Sequence, residues 1–148
     1  MEPQASPVKV ALDKVIDRPA STVWQFVVTD HVRNHPRWDP AMTLEPMTQG
    51  PLALGSRIRR RHTRTGAPIE GTMDVVELDP PRAFGVVIRD ETPRATLEVH
   101  SRMVLEQLDD RRTRLTVELQ LPEAAASMAP AMIEGSLANI KELIEIET

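Results

Sequence analysis

In the closing stretch of the chain, Ser127 to Glu147, apolar positions recur with a 3.6-residue period. Ala129, Met132, Ile133, Leu137, Ile140, Leu143 and Ile144 share one stripe, while Glu134, Asn139, Lys141, Glu142 and Glu145 lie on the other side. The pattern predicts an amphipathic helix, roughly 30 Å long, covering an apolar surface. Ser127 is placed to cap its start, and Pro130 falls in the first turn, where a missing N–H costs nothing. Ser136 interrupts the stripe. Its hydroxyl either bonds back to the Met132 carbonyl, the commoner arrangement, or faces a space that is not fully packed.

Upstream the period shortens to two. Val8, Val10 and Leu12 alternate with Lys9 and Asp13, which predicts an opening strand over Val8 to Ile16. Asp17-Arg18-Pro19 ends it and starts a helix carrying Val23, Trp24, Phe26, Val27 and Val28. A second short helix is expected from Asp30 to Asn34, ending before Pro36, with Arg37-Trp38-Asp39-Pro40 as an irregular corner. Met42 to Met47 reads as a short strand, and Gly55–Thr63 with Ile69–Leu78 as a hairpin around Thr65-Gly66. Pairing His62 with Ile69, Arg60 with Gly71 and Ile58 with Met73 puts these six on one face. The other face then sets Arg57, Arg59 and Arg61 against Asp74, Thr72 and Glu70, a solvated charge lattice. Three further strands follow: Ala83–Arg89 with Phe84, Val86 and Ile88 on one side, Ala95–Leu108 with Leu97, Val99, Met103 and Leu105 facing in, and Leu115 to Leu121. Short turns make an antiparallel meander of about six to seven strands, and one helix covers its apolar face. The class is α+β, with a tail over residues 1–7 and one domain over 8–148.

Composition narrows the partners. At 148 residues with a net charge of −4, the chain lacks the basic surface that nucleic acid or anionic membrane favours. With no cysteine, disulfides and thiolate chemistry are excluded. The first residues have neither the basic nor the apolar region of a secretory signal, and no apolar run approaches a membrane span, so a cytoplasmic protein without membrane insertion is expected. Aromatics make up 3% while methionines number seven, a composition suited to an adaptable aliphatic pocket.

Several strings, taken with this element order, resemble the START/SRPBCC helix-grip superfamily, which includes the birch pollen allergen, polyketide cyclases/dehydrases and lipid carriers. They are Val23-Trp24, Trp38-Asp39-Pro40, Gly50-Pro51-Leu52 with Gly55-Ser56-Arg57, Val75-Val76-Glu77-Leu78-Asp79-Pro80-Pro81-Arg82, and Thr113-Arg114-Leu115-Thr116. The resemblance spans Val8 to Glu147. It implies a curved sheet gripping the C-terminal helix around a cavity for a hydrophobic ligand, and it carries over no catalytic residue, since no single motif unites these proteins.

Among candidate catalytic groups, Arg60 and His62 stand out, because alternation turns both toward the concave face beside Gly71. A cation or titrating group there can hold a carboxylate or an enolate, or move a proton. Against this stands the cost of buried charge, which favours a strand end at the cavity mouth with both tips in solvent. His31 and His35 have the i, i+4 spacing of a shared metal site, yet no third ligand is fixed, and a polar connecting loop accounts for them. No metal or cofactor is expected. His100 faces outward. Trp38 with Asp39 can line the entrance of the cavity, although a Trp ring closing one end of the core is the commoner use; Trp24 and Phe26 belong to the core. Glu70 and Asp74 share a face but read as surface ion pairs.

The expected ligand-contacting positions are Trp38, Ile58, Arg60, His62, Met73, Val75, Phe84, Val86, Leu97, Val99, Met103, Leu115, Val117 and Leu119, with Met132, Ser136 and Ile140 on the helix. Three functions fit: a carrier or sensor of a small hydrophobic molecule, a polyketide cyclase/dehydrase-like enzyme using Arg60 or His62, or a protein-interaction module. A monomer or homodimer suits each.

Overall fold

The computed structural model describes residues 7–148. The tail expected over residues 1–7 therefore lies, apart from Pro7, outside the described residues. The chain runs β1 (Val8–Ile16), α1 (Ala20–Trp24), a π-helical turn (Gln25–Thr29), α2 (His31–Trp38), β2 (Met42–Pro46), β3 (Arg57–His62), β4 (Ile69–Asp79), β5 (Ala83–Glu91), β6 (Thr96–Asp109), β7 (Arg112–Leu121), α3 (Glu123–Ala126) and α4 (Ala129–Glu147). All seven strands join one antiparallel sheet in the order β1-β7-β6-β5-β4-β3-β2, so β1 and β2 form its two edges. The segment from α1 to α2 links those edges. Alternation dictated the pairing: Ile58 meets Met73, Arg60 meets Gly71 and His62 meets Ile69, as expected. A bulge between Val75 and Glu77 shifts the register of β4, which bends the strand and turns Val76 out to solvent.

On α4 the expected stripe is buried at Ala129, Ile133, Leu137, Ile140 and Ile144, with Met132 and Leu143 partly buried. The C-terminal half of the helix is tied to the start of the chain. Lys141 Nζ donates to the Val15 carbonyl at 3.1 Å, Arg18 Nη2 to the Glu145 carbonyl at 2.7 Å, and the Asp17 N–H to Glu145 Oε2 at 3.0 Å.

Three local expectations are corrected. Ser127 does not cap α4: its φ of −65° and ψ of −27° are helical, because the Glu123–Ala126 turn precedes it, and a cap needs extended dihedrals. The first helix does not stay α through Val28; its second turn is a π turn closed by the Asp30 N–H on the Gln25 carbonyl at 3.0 Å. Finally, α2 does not stop before Pro36 but continues to Trp38. Pro36 removes one backbone donor, yet the end is closed by Asp39 N–H on the His35 carbonyl at 2.9 Å, and burial of Trp38 against Phe26 and His31 outweighs the lost bond.

Residues in register form rows across the concave face. One row is apolar: Ile58, Met73, Ile88 and Val99. The next, Arg60, Gly71, Asp90 and Leu97, holds two charges separated by a glycine. A Cβ on Gly71 would lie 2.2 Å from the Arg89 carbonyl oxygen and 2.3 Å from Asp90 Oδ1. Gly71→Ala is therefore expected to destabilise the protein by about 2 kcal/mol or more. Gly135→Ala, on the exposed side of α4 with nothing within 4 Å, is expected to stabilise it by about 0.5–1 kcal/mol. Urea denaturation of both variants checks this, and similar midpoints would contradict the crowding at Gly71.

Candidate functional site

Sheet and helix do not meet completely. Beneath α4 lies a cavity of about 260 Å³, at or just below the small end of ligand pockets, which run roughly 300–1,000 Å³. Of the residues expected at the site, Met73, Phe84, Val86, Leu97, Val99, Met103, Val117 and Leu119 line its sheet side, Met132, Ser136 and Ile140 its helix side, and Trp38, Arg60 and His62 its remaining wall. Ile58, Val75 and Leu115 sit elsewhere, packed in the core away from the cavity wall. The Ser136 hydroxyl makes no bond to the Met132 carbonyl; it borders the open space, against the back-bonding expectation.

Arg60 and His62 do not reach solvent as expected. They are 5% and 9% exposed, and an acid that the strand pattern did not flag, Asp90, is buried with them at 3%. Arg60 donates from Nε to Asp90 Oδ1 at 2.9 Å and from Nη2 to Oδ2 at 3.1 Å, passing over Gly71. This planar two-point pair is the geometry in which buried opposite charges compensate one another. Burial lowers the Arg60 pKa and Asp90 opposes that shift. His62 Nε2 lies 3.4 Å from Asp90 Oδ2. Burial, then Arg64 and Arg60, hold His62 below its ordinary pKa, with Asp90 opposing, so the ring is neutral near pH 7. A carboxylate only accepts, so Nε2 carries the proton. Nδ1 is then a bare acceptor, and it is buried without a partner.

The facing wall comes from α2. The expected loop around His31 and His35 is helix, and both imidazoles border the cavity. His31 Nδ1 lies 2.8 Å from the Val27 carbonyl and must donate to it; His31 Nε2 then accepts from His35 Nδ1 at 3.0 Å. His35 stacks on Trp38 with centroids 5.0 Å apart, and its Nε2 lies 3.9 Å from Asp39, which pairs with Arg64. Burial pushes His31 down to about 4 and His35 well below its usual value. Arg60 and Arg64 thus balance Asp90 and Asp39, and the three histidines are neutral. Among the described residues no group of three or more His, Cys, Asp or Glu is placed to hold a metal.

Elsewhere, placement follows the register. Asp74 pairs with Arg57 and Arg89 on the outer face, Arg59 reaches Glu45, and His100 is exposed beside Glu98. Asp90 was findable: the alternation of Phe84, Val86 and Ile88, carried one step further, lands on it. No helix among the described residues is long and apolar enough to cross a membrane.

Comparisons with known proteins agree with this architecture. A family model described as polyketide cyclase/dehydrase and lipid transport matches residues 7–145. No curated protein matches the sequence. Among solved structures, a START superfamily protein from Mycobacterium smegmatis is 15% identical with a TM-score of 0.78, covering 95% of this chain and 99% of that one. The Zhui aromatase/cyclase from Streptomyces sp. R1128 is 18% identical with a TM-score of 0.74, covering 94% of each chain. Ara h 8.0201 is 13% identical with a TM-score of 0.75, covering 93% of this chain and 97% of its own. At these identities the likeness is one of fold.

The buried histidines make stability depend on pH. His31 titrates near 4 when folded and near 6.5 when unfolded, so between those values the unfolded chain takes up a proton that the folded chain refuses. Stability is then full above pH 6.5 and falls as pH drops toward 4, by about 3 kcal/mol from His31; His35 and His62 act in the same direction. Urea midpoints between pH 7 and 5, a range above most carboxylate titrations, should fall steadily. His31→Gln, which retains a donor for Val27, should flatten the slope; an unchanged slope would show that His31 does not contribute.

Proposed function

The chain belongs to the polyketide cyclase/dehydrase and lipid transport family, and from that premise we propose that it binds and carries a small, largely apolar molecule in the cavity under α4. The observation behind this reading is the wall itself: aliphatic and methionine side chains from β4 to β7 and from α4, with charges that cancel in pairs at one end. Arg60 and Asp90 are committed to each other, which leaves a site with few free polar groups and no net charge. A neutral guest displaces no ion pair and buries apolar surface at about 25 cal/mol per Å².

Ser136 tests the reading, because it borders the cavity and contributes little to the core. A neutral solvatochromic naphthalene ketone is expected to bind with a blue-shifted emission. Ser136→Phe, which fills the space, should weaken that binding at least tenfold while leaving the urea midpoint close to that of the parent. Equal dye affinity in the two proteins would sink the proposal.

The depth of His62 favours a second reading, in which a cyclase/dehydrase-like enzyme works in the same cavity. A neutral imidazole backed by Asp90 has the composition of a general base, and Arg60 Nη1 remains free to steady an oxyanion. The simplest reaction of that kind is proton removal next to a carbonyl. The enzyme would then accelerate deuterium uptake at the α-carbons of 2-nonanone in heavy water, and His62→Gln would abolish the acceleration. Exchange no faster than in buffer leaves the carrier reading alone.

A further inference from the structure

The charged groups at one end of the cavity are matched to one another, but two hydroxyls farther along its walls are not. Ser101 lies on β6, and its side chain shares the concave face with Val99 and Met103. Its partners in register are Val86 on β5 and Leu119 on β7. All four of these neighbours are buried, apolar and part of the cavity lining. Ser101 lines the cavity too, yet it is only half-buried. The outer face of the strand here belongs to His100 and Arg102, so the surface that Ser101 leaves open is cavity floor. Ser136 repeats the arrangement in the roof. Met132 and Ile140, about one turn away on either side, line the cavity with it. Neither hydroxyl has a hydrogen-bond partner among the described residues. In that same set His62 Nδ1 is the sole side-chain nitrogen or oxygen that is both occluded and unpartnered, so the two serine oxygens are open to a guest.

A guest that covers these hydroxyls takes them from water and has to replace the hydrogen bond they lose. The apolar wall around them supplies no acceptor for their protons. A guest oxygen that accepts from them answers that need, whereas a guest that only donates leaves the serine protons unpaired. Charge is disfavoured at this point. A carboxylate or ammonium would sit among aliphatic side chains, with Arg60, Arg64, Asp90 and Asp39 already paired.

We infer that Ser101 and Ser136 are the polar middle of the chamber, and that its preferred guest is an uncharged molecule carrying an oxygen acceptor, a ketone, ester or ether, between two apolar arms. This rests on the cavity-binding reading above and adds where along the guest its polarity falls. Both serines are specificity-determining residues. They contribute little to the binding of a hydrocarbon, and they select among guests of equal apolarity by the position of one oxygen.

Isomeric ketones test this, because 5-nonanone and 2-nonanone have the same atoms and differ in where the carbonyl sits. The control is 5-methylidenenonane, in which a CH2 group replaces the oxygen of the first. Dissociation constants come from displacement of the solvatochromic dye, whose own affinity is measured in each protein. In the parent, 5-nonanone is expected to bind about fivefold or more tighter than 2-nonanone, the worth of one neutral hydrogen bond. With Ser101→Ala and Ser136→Ala combined, the two ketones should bind alike, while the alkene binds at least as tightly as in the parent. A second readout needs no variant: the carbonyl of carbon-13-labelled 5-nonanone, bound to the parent, should resonate downfield of its position in alkane solvent. Isomers that bind the parent alike, a preference that survives loss of both hydroxyls, or a carbonyl resonance at its alkane position overturns the inference and leaves cavity binding intact. Failure of the dye and all three probes to bind overturns both.

Discussion

A helix about 10 Å across must cover a sheet whose strands are spaced about 4.8 Å apart, seven of them in this chain. A flat sheet of that width would leave apolar surface bare on either side of the helix. The sheet therefore curves, helped by the bulge in β4, and α1 to α2 close the side that α4 leaves open. Curvature solves the covering problem at the edges and creates another at the centre, where the concave floor falls away from the helix. Large side chains fill most of that depth, Ile58, Leu115, Ile140 and Ile144 among them. What they do not fill is the cavity. The site thus follows from the covering of a broad sheet by one helix, and its contents follow from which rows of the sheet lie beneath the gap.

The row that matters is the one carrying Arg60 and Asp90. Two charges on strands that are not neighbours can touch only if the residue between them has no side chain, and Gly71 meets that condition. Removing either charged partner alone would leave the other buried and uncompensated, a loss of about 3–5 kcal/mol in comparable pairs. The pair is consequently better viewed as a fixed frame than as a free binding group. It takes Arg60 out of the role of a simple anion hook and gives His62 a defined orientation. The α2 wall repeats the logic with neutral groups: the carbonyl of Val27 sets the tautomer of His31, which sets that of His35.

How much of this was legible in the sequence depends on the kind of information required. Period-two alternation fixes which face a strand residue takes, and the hairpin register of β3 and β4 followed from it, including the meeting of Arg60 with Gly71. Alternation does not fix depth along the covering helix, which is why Ile58, Val75 and Leu115 face inward yet lie away from the cavity. Asp90 is hard to see in the sequence because its polarity ends the apolar run, although its parity continues it into the core. Local signals failed where packing outweighed them. Pro36 argued for a helix end, but burying Trp38 repays one lost backbone bond; Ser127 looked like a cap, but a preceding helical turn took its dihedrals. His35 falls in the expected loop for the same reason, since a helix ending at Asn34 leaves it outside, whereas the helix runs on through it to Trp38.

The glycine between the two charges also constrains how this chain can diverge. Arg60, Gly71 and Asp90 occupy three adjacent strands, and a change at any one of them disturbs the other two. Replacing an ion strands its partner, and adding a methyl group to the glycine pushes the carboxylate and the backbone apart. Descendants accumulating one substitution at a time would meet a fitness valley here, while the aliphatic floor that begins in the adjacent row tolerates exchange among residues of similar volume at small cost. A lineage built on this scaffold can thus retune the size and shape of its guest by small steps, whereas the polarity at one end of the chamber changes only through a coordinated jump.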